Sequence, residues 1–398
     1  LQNNGQNLSF GDKIKEKRKE YPMKKKVIAA VLIAMMVLAG CGGKEEEDSS
    51  SPIQSLEPVD LSTPAPEEGS AEEPEESEAE PEPEETREGM YRSELTNEWI
   101  DEALKSQRPI AVMVDNEKTA LPHYGLTEAD IVYEIMNSTK NDRITRFMAL
   151  VKDWGKIEQF GSIRSTRSTN VYLVGEWNAI LCHDGGPYFA LDLVKEKDYC
   201  DNLSGVFGRV DNGKAREFTE YILPGDLDRE IGKKNYDTEY NEHYPGPHYT
   251  FSNKEYDLSD ADGAVSCTEI QLIPFKHNGS TLEYNEQTGT YDYSEYGKPH
   301  LDPQHDNAQL TFKNVLLQSC SFSDLGEGYL VYNIIDDNGN DGYYITNGKA
   351  VEVTWYKASD TQPTVYYNKR TGEEIKLNTG KTYIGVVPSD TWDSIIMK

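Results

Sequence analysis

The chain has 398 residues, with 70 Asp or Glu against 40 Lys or Arg and a formal net charge of −30. So acidic a chain repels nucleic acid and anionic lipid headgroups, which excludes a general nucleic-acid binder and leaves any anionic ligand to a local group of basic residues. The length exceeds what one compact core usually holds, so more than one domain is expected.

Residues 1–22 precede a methionine that opens a complete export signal. Lys19-Glu20 can be encoded by AAGGAG, a ribosome-binding sequence, and Tyr21-Pro22 gives the spacer before the Met23 codon. Residues 1–22 are therefore read as an untranslated upstream region and set aside from fold reasoning. Residues 23–41 hold three lysines, an apolar run from Val27 to Ala39 and small residues before Cys41, the parts of a secretory signal peptide. The apolar run is too short for the roughly 20 residues of a membrane-spanning helix. Its ending, Leu38-Ala39-Gly40-Cys41, resembles the lipobox of bacterial lipoproteins. That resemblance implies cleavage before Cys41, lipidation of its thiol, and residence on the outer face of the bacterial cytoplasmic membrane, with the lipid as the membrane contact.

Residues 42–92 read as a disordered acidic tether rich in Pro and Glu. From Gly42 to Gly89 eighteen acidic residues face only Lys44 and Arg87, and too few apolar residues remain to offset the entropy of ordering. With −16 on this segment and +5 on the first 41 residues, residues 90–398 keep −19 of the −30.

The fold expected beyond the tether is α+β, a mixed α/β N-terminal domain followed by an antiparallel β-rich C-terminal domain. From 96 to 255, RPIAVMVDN, IVYEIMN and TRFMALVKDW read as strands and TNVYLVGEWNA as a helix. AILCHDGG reads as a strand entering a glycine turn, and PYFALDLVKEKD as a helix that Pro187 can start. From 265 to 398, LTFKNVLLQSCSF, GYLVYNII, GYYIT, AVEVTWYK, TVYYN and TYIGVV are β-branched and aromatic. Turns at 336–342, Asn347-Gly348, Thr371-Gly372 and Thr379-Gly380 separate them, which indicates an antiparallel meander. Cys182, Cys200, Cys267 and Cys320 admit two disulfides in an exported protein, or buried free thiols.

In order, RPIAVMVDN, GLTEADIVYEI, DRITRFMALV, FGSIRSTRSTN and HDGG resemble the N-terminal domain of the YerB-like bacterial lipoproteins. YGKPHLD, LTFKNVLLQ, NGKAVEVTWYK and GKTYIGVVP resemble that family's C-terminal domain. The resemblance spans nearly all of 105–390 and implies a two-domain ectodomain on a lipid anchor, in a family without an assigned activity. The chain departs from the family at HDGGPYF, where members carry a smaller HAGGSP.

Arg164, Ser165 and Arg167 form the first candidate site. Two arginines three apart offer forked donors to phosphate or carboxylate, a following helix adds free amides, and Arg143 and Arg146 can approach from a neighbouring strand. The plainer reading makes the serines helix caps and pairs the arginines with acidic neighbours. His183, Asp184, Gly185 and Gly186 form the second candidate, since glycines at a strand end let backbone approach a ligand. A Cys182–His183 nucleophile pair is disfavoured, because adjacent strand residues point to opposite faces. In HLDPQHD a metal would use His300 and Asp302, but proline loops collect polar residues anyway, so no metal site is assigned. The DDNGNDG segment lacks the glycine and closing glutamate of a calcium loop and reads as a hairpin turn. No nucleotide, hydrolase or cofactor signature is present, and no cofactor is predicted.

Two functions are carried forward. One is a tethered protein that binds an envelope component or a partner protein through a phosphate- or carboxylate-bearing group, with tyrosines of the last third as a recognition surface. The other is an enzyme: ADIVYEI, SIRSTR and HDGGPYFALDLV resemble the LytR-CpsA-Psr phosphotransferases. That resemblance implies Arg164 and Arg167 as pyrophosphate ligands of a polyprenyl-linked substrate and Asp130 or Asp184 as a magnesium or base position, although the family's I-P-R-D-T motif is missing. An enzyme of that kind needs an apolar channel beside the arginines, whereas a binding protein needs none.

Overall fold

The structure, a computed structural model, describes residues 85–259 and 261–398. The export signal, Cys41 and nearly all of the tether lie outside them. The described residues belong to one compact unit, Pro81–Lys398. Met90–Arg92, where the composition places the end of the tether, is already a strand paired with Trp99–Asp101. Among the described residues no helix is long and apolar enough to cross a membrane.

In the first half β1 (Ile110–Asp115), β2 (Ile131–Met136) and β3 (Thr145–Val151) are buried along their whole length. They are followed by α1 (Ser168–Trp177), β4 (Ile180–His183), α2 (Tyr188–Glu196), β5 (Asn202–Ser204) and α3 (Asp226–Lys234). The second half contributes the hairpin β6 (Thr281–Asn285) and β7 (Thr290–Glu295), then β8 (Asn314–Cys320), β9 (Asp336–Thr346), β10 (Lys349–Lys357), β11 (Val365–Asn368) and β12 (Thr382–Pro388).

Both halves build one eleven-stranded sheet. Its order is Val265–Ser266, β10, β9, β8, β12, β2, β3, β1, β4, β5, with β11 also on β10. The strand β12 lies between the halves and runs parallel to its neighbour in each, with Ile384 opposite Leu316 of β8 and opposite Tyr133 of β2. Every residue of β12 is buried. A central parallel strand covered on both faces needs the unbroken apolar run that TYIGVV supplies.

The described chain is β-rich, with α-helices confined to 168–234. The expected antiparallel meander holds from β8 to β11 and fails at β12, whose partner on one side lies some 250 residues earlier. DDNGNDG is not a turn. It opens β9, with a bulge between Asp336 and Asn340 that uses a positive φ at Gly339. The β9–β10 turn is Asn347-Gly348, with φ of 49° and 73°, as a two-residue hairpin requires. Pro187 caps α2 from outside it. All four described cysteines are free and buried. The recognition surface expected of the late tyrosines is also not found for Tyr291, Tyr293, Tyr332, Tyr344, Tyr366 and Tyr383, which are core residues.

Successive residues of β2 face opposite ways and anchor a layer on each side. Tyr133 points to α1, where its hydroxyl donates to Glu176 Oε1 at 2.8 Å and accepts from Trp177 Nε1 at 2.9 Å. Glu176 Oε2 takes the ammonium of Lys357 from β10 at 2.8 Å and the amide and hydroxyl of Thr364. Both charges are fully buried. Burial alone would raise the Glu176 carboxyl, but the Lys357 charge and these hydrogen bonds leave it below its usual value. Glu134 points to the opposite face, where the hydroxyls of Thr145 (2.6 Å), Ser280 (2.7 Å), Tyr293 (3.0 Å) and Tyr383 (2.6 Å) converge on it. Burial pushes this carboxyl up to about 7 against the pull of those donors.

Replacing Lys357 by methionine strands the Glu176 charge and is expected to cost about 3–5 kcal/mol in urea denaturation. The double variant Lys357→Met, Glu176→Gln should recover most of that loss. Glu134 titrates higher folded than its ordinary 4.5, so its protonated form favours the fold. That contribution is complete below about pH 4.5 and is lost as the pH rises through about 7. Relative to Glu134→Gln, the natural chain should therefore lose up to a few kcal/mol between pH 5 and pH 8; parallel pH profiles of the two would contradict this.

Candidate functional site

The arginine motif and the glycine turn meet at the C-terminal ends of β1 and β4, which run parallel to each other. Beyond Gly161 the chain turns along the end of β1: Asp115 N donates to Ser162 O and Arg164 N to Met113 O. It then bonds the glycine turn, through Asp184 N to Arg164 O, Thr166 N to Gly185 O, and Ser165 Oγ to Asp184 O at 2.8 Å. α1 starts one residue after Arg167, whose amide donates to Asn170 Oδ1. β3 is antiparallel to β1 with Arg146 opposite Asp115, so its guanidinium joins the group.

The three arginines are held differently. Arg164 is paired: its Nε donates to Asp115 Oδ2 at 2.7 Å and its Nη2 to Glu217, with the Phe218 ring beside it. Arg146 Nη1 donates to Ser165 O at 2.7 Å, Asp115 lies 3.9 Å from Nη2, and its buried Nε has no hydrogen-bond partner. Arg167 meets no carboxylate among the described residues. Its Nη1 donates to Thr166 O at 2.9 Å, the Tyr329 ring lies over it at 5.4 Å, and its Nε is also buried without a partner. Burial lowers Arg146 to about 10, Asp115 opposing; it lowers Arg167 to about 9, with Arg146 adding to the effect.

A cavity of about 10 Å³ lies against Arg146 and Arg167 and is also lined by Asn137, Asn170 and Tyr332. Asn137 Oδ1 and the Tyr332 hydroxyl are further polar atoms there without a partner. The space suits about one water and no lipid chain. The arrangement presents donors of net positive charge at a helix N-terminus, a setting that favours an anion.

The other expected site residues divide. His183 is buried, with Nδ1 on Gly185 O at 2.7 Å and Nε2 near Asn202 Oδ1 at 3.4 Å. Both nitrogens are thus turned to the chain's own backbone and side chains, and the ring shapes the turn. Burial lowers its pKa. Asp184 faces Arg209 at 2.9 Å, and Arg209 also binds Glu220. Burial raises Asp184, but Arg209 overcomes this and leaves it below the usual range, while burial and the neighbouring Asp184 push Glu220 up to about 7. Gly185 has φ +71°, and a Cβ on Gly186 would lie 3.2 Å from Thr166 O, so the close crossing depends on Gly186. Arg143 points elsewhere, gripping Asp390 with two bonds.

The metal reading of His300 with Asp302 fails on geometry. Asp302 is a structural acceptor, taking the amides of Gly125, Thr127 and Gln304 and the Thr127 hydroxyl. His300 instead pairs with Glu295 at 2.8 Å and lies beside His123. Sequence reasoning missed Asp115, Arg209, Glu220 and His123. The only signal for Asp115 was an acid at the end of an otherwise apolar strand, and His123 carried none.

Two family signatures match the chain in order. These are the N-terminal domain of DUF3048, described as a protein of unknown function, at residues 95–237, and its C-terminal domain at 271–384. YerB of Bacillus subtilis (strain 168), which its name classes provisionally among the lipoproteins, is 24% identical over 315 residues, 75% of this chain and 86% of that protein. The crystal structure of YerB from Bacillus subtilis superposes with a TM-score of 0.64 at 21% identity. The match covers 77% of this chain and 99% of that one, a likeness of fold.

Proposed function

This chain belongs to the YerB-like two-domain family, and on that premise we propose that it is a lipid-anchored extracytoplasmic binding protein whose ligand presents an anionic group to Arg146, Arg164 and Arg167. The ligand is an envelope component or a partner protein carrying phosphate or carboxylate. The signal with Cys41 supplies the anchor, in keeping with the name of the Bacillus subtilis relative. The tether holds the ectodomain off the membrane, and the mixed α/β N-terminal domain carries the site.

The observation that carries this reading is Arg167, a largely buried guanidinium that meets carbonyls and a ring but, among the described residues, no carboxylate. In a domain this acidic, pairing would have been easy. A buried charge without a counterion is unfavourable for folding, so its retention points to a counterion supplied by the ligand. Ser165 and the Gly185-Gly186 backbone border the same crossing and would contact that group. Asp184, held by Arg209, and His183, turned inward, support the turn. The polyprenyl-pyrophosphate phosphotransferase reading requires a channel, and the cavity beside these arginines has room for about one water. Binding is the reading that the geometry favours.

Inorganic pyrophosphate should raise the melting temperature of the purified chain saturably, and Arg167→Met should abolish that shift while the variant melts at or above the natural chain. The first result reports binding. The second separates a functional arginine from a structural one, whose loss would destabilise. A natural chain indifferent to pyrophosphate, or a variant that keeps the shift, would contradict the assignment.

A further inference from the structure

A second polar cluster lies on the other side of the β1 end, where the two halves meet. His123, Glu295 and His300 are 0%, 2% and 3% exposed, and one ligand atom from each lies within 4.8 Å of the others. His123 comes from the loop after β1, Glu295 ends β7, and His300 follows in the return from it.

The hydrogen bonds define which nitrogens are free. His123 Nε2 lies 2.6 Å from Asp115 O. A carbonyl can only accept, so Nε2 carries the proton and Nδ1 of the neutral ring is a bare lone pair. His300 Nδ1 and Glu295 Oε1 lie 2.8 Å apart and share one proton, so an ion that takes that proton's place meets a lone pair from each. Neither His123 Nδ1 nor His300 Nε2 has a partner among the described residues, and both are buried. A buried acceptor without a donor is costly, and the bare Nδ1 of His123 lies beside the His300–Glu295 pair, where one ion can meet all three residues.

The surrounding charge points the same way. Glu295 forms no ion pair with lysine or arginine among the described residues; it has His300 and, at 3.5 Å, Asn278 Nδ2. Glu134 has only neutral donors. This part of the interior thus holds two carboxyl groups and two imidazoles, with no lysine or arginine among the described residues paired to Glu134 or Glu295.

We propose that His123 through Nδ1, His300 through Nδ1 and Glu295 through Oε1 bind one divalent transition-metal ion of the zinc class, the ring proton of His300 passing to its unpartnered Nε2 as the ion enters. Two imidazoles and one carboxylate are a ligand set zinc takes with its fourth position open, and imidazole nitrogen selects against calcium and magnesium. The Asp115 carbonyl fixes the His123 ring from behind, the second-shell arrangement metal-ligating histidines use. A surface cavity of about 400 Å³ is lined by Glu295 and His300 together with Lys118, Pro122 and Tyr296, giving the ion an approach and the open position room for water or a ligand atom. The site is independent of the arginine cluster in its ligands, yet the two share Asp115, whose carboxylate pairs with Arg164 and whose carbonyl holds His123.

The purified chain, stripped with EDTA, should take up one equivalent of Zn²⁺ in competition with a chromophoric chelator. The Co²⁺ form should show the visible absorption of a four- or five-coordinate site. His123→Ala and His300→Ala should each weaken uptake by about 100-fold or more. Because either variant could fold poorly, imidazole ¹⁵N spectra of the natural chain provide the second reading. Of its seven histidines, only His123 and His300 should shift on adding Zn²⁺. A natural chain that takes up neither metal, binding unchanged in both variants, or shifts confined to other histidines would overturn the proposal.

Discussion

The strand Thr382–Pro388 is the constraint on which the rest of the molecule depends. It enters a slot between Ile131–Met136 of the first half and Asn314–Cys320 of the second and hydrogen-bonds to both. Two segments matched separately by the domain signatures of the family thereby share a single sheet. The layers on its faces follow from the same register. Tyr383 reaches Glu134 on one side, while Tyr133, one residue from Glu134, ties the sheet to Glu176 and hence to Lys357. Removing this strand would open two sheet edges at once and leave Glu134 and the tyrosines around it without a common wall.

This closure decides what the candidate sites are made of. Each draws residues from both halves. Tyr329 and Tyr332, at a hairpin of the second half, cover Arg167 and its small cavity, while His123 of the first half completes a cluster with Glu295 and His300 of the second. Asn278 joins the halves again, receiving the Thr145 amide and donating to Asn116 O. The histidine cluster does not exist in one half alone, and the arginine cluster, built in the first half, owes its cover to the second, which is a physical reason for the two segments to stay together in one chain.

Much of the sheet was legible because its central strands are buried on both faces and so read as unbroken apolar runs. IAVMVD, IVYEIM and TRFMALV could be little else, and the arginine motif and the glycine turn were each legible as candidates, while their meeting rests on backbone bonds between Arg164–Thr166 and Asp184–Gly185 that leave no mark in the sequence. The pairing of TYIGVV was not legible, because a parallel partner can lie anywhere in the chain and leaves no local mark. DDNGNDG was misread as a turn since its composition is that of one; the bulge at Gly339 lets it open a strand. The hairpin Thr281–Asn285 with Thr290–Glu295 was hidden by Glu283 and Asp292, which lie on its more exposed face while Leu282, Tyr291, Tyr293 and Glu295 point inward. In the sites, composition argued that every arginine would find an acid, and only coordinates could single out Arg167. The histidine cluster joins positions some 170 residues apart, so HLDPQHD drew attention to Asp302 as the partner of His300 when the true neighbours were His123 and Glu295.

Hydrogen exchange of backbone amides, followed residue by residue at rising sub-denaturing urea, tests the central claim most directly. If Thr382–Pro388 makes one cooperative sheet of the two halves, the amides of Ile131–Met136 and Asn314–Cys320 should exchange through a common opening, with the same free energy and the same urea dependence. Two separate openings, with one half exchanging fully while the other stays protected, would show that the halves are independent modules and would remove the basis for sites built from both.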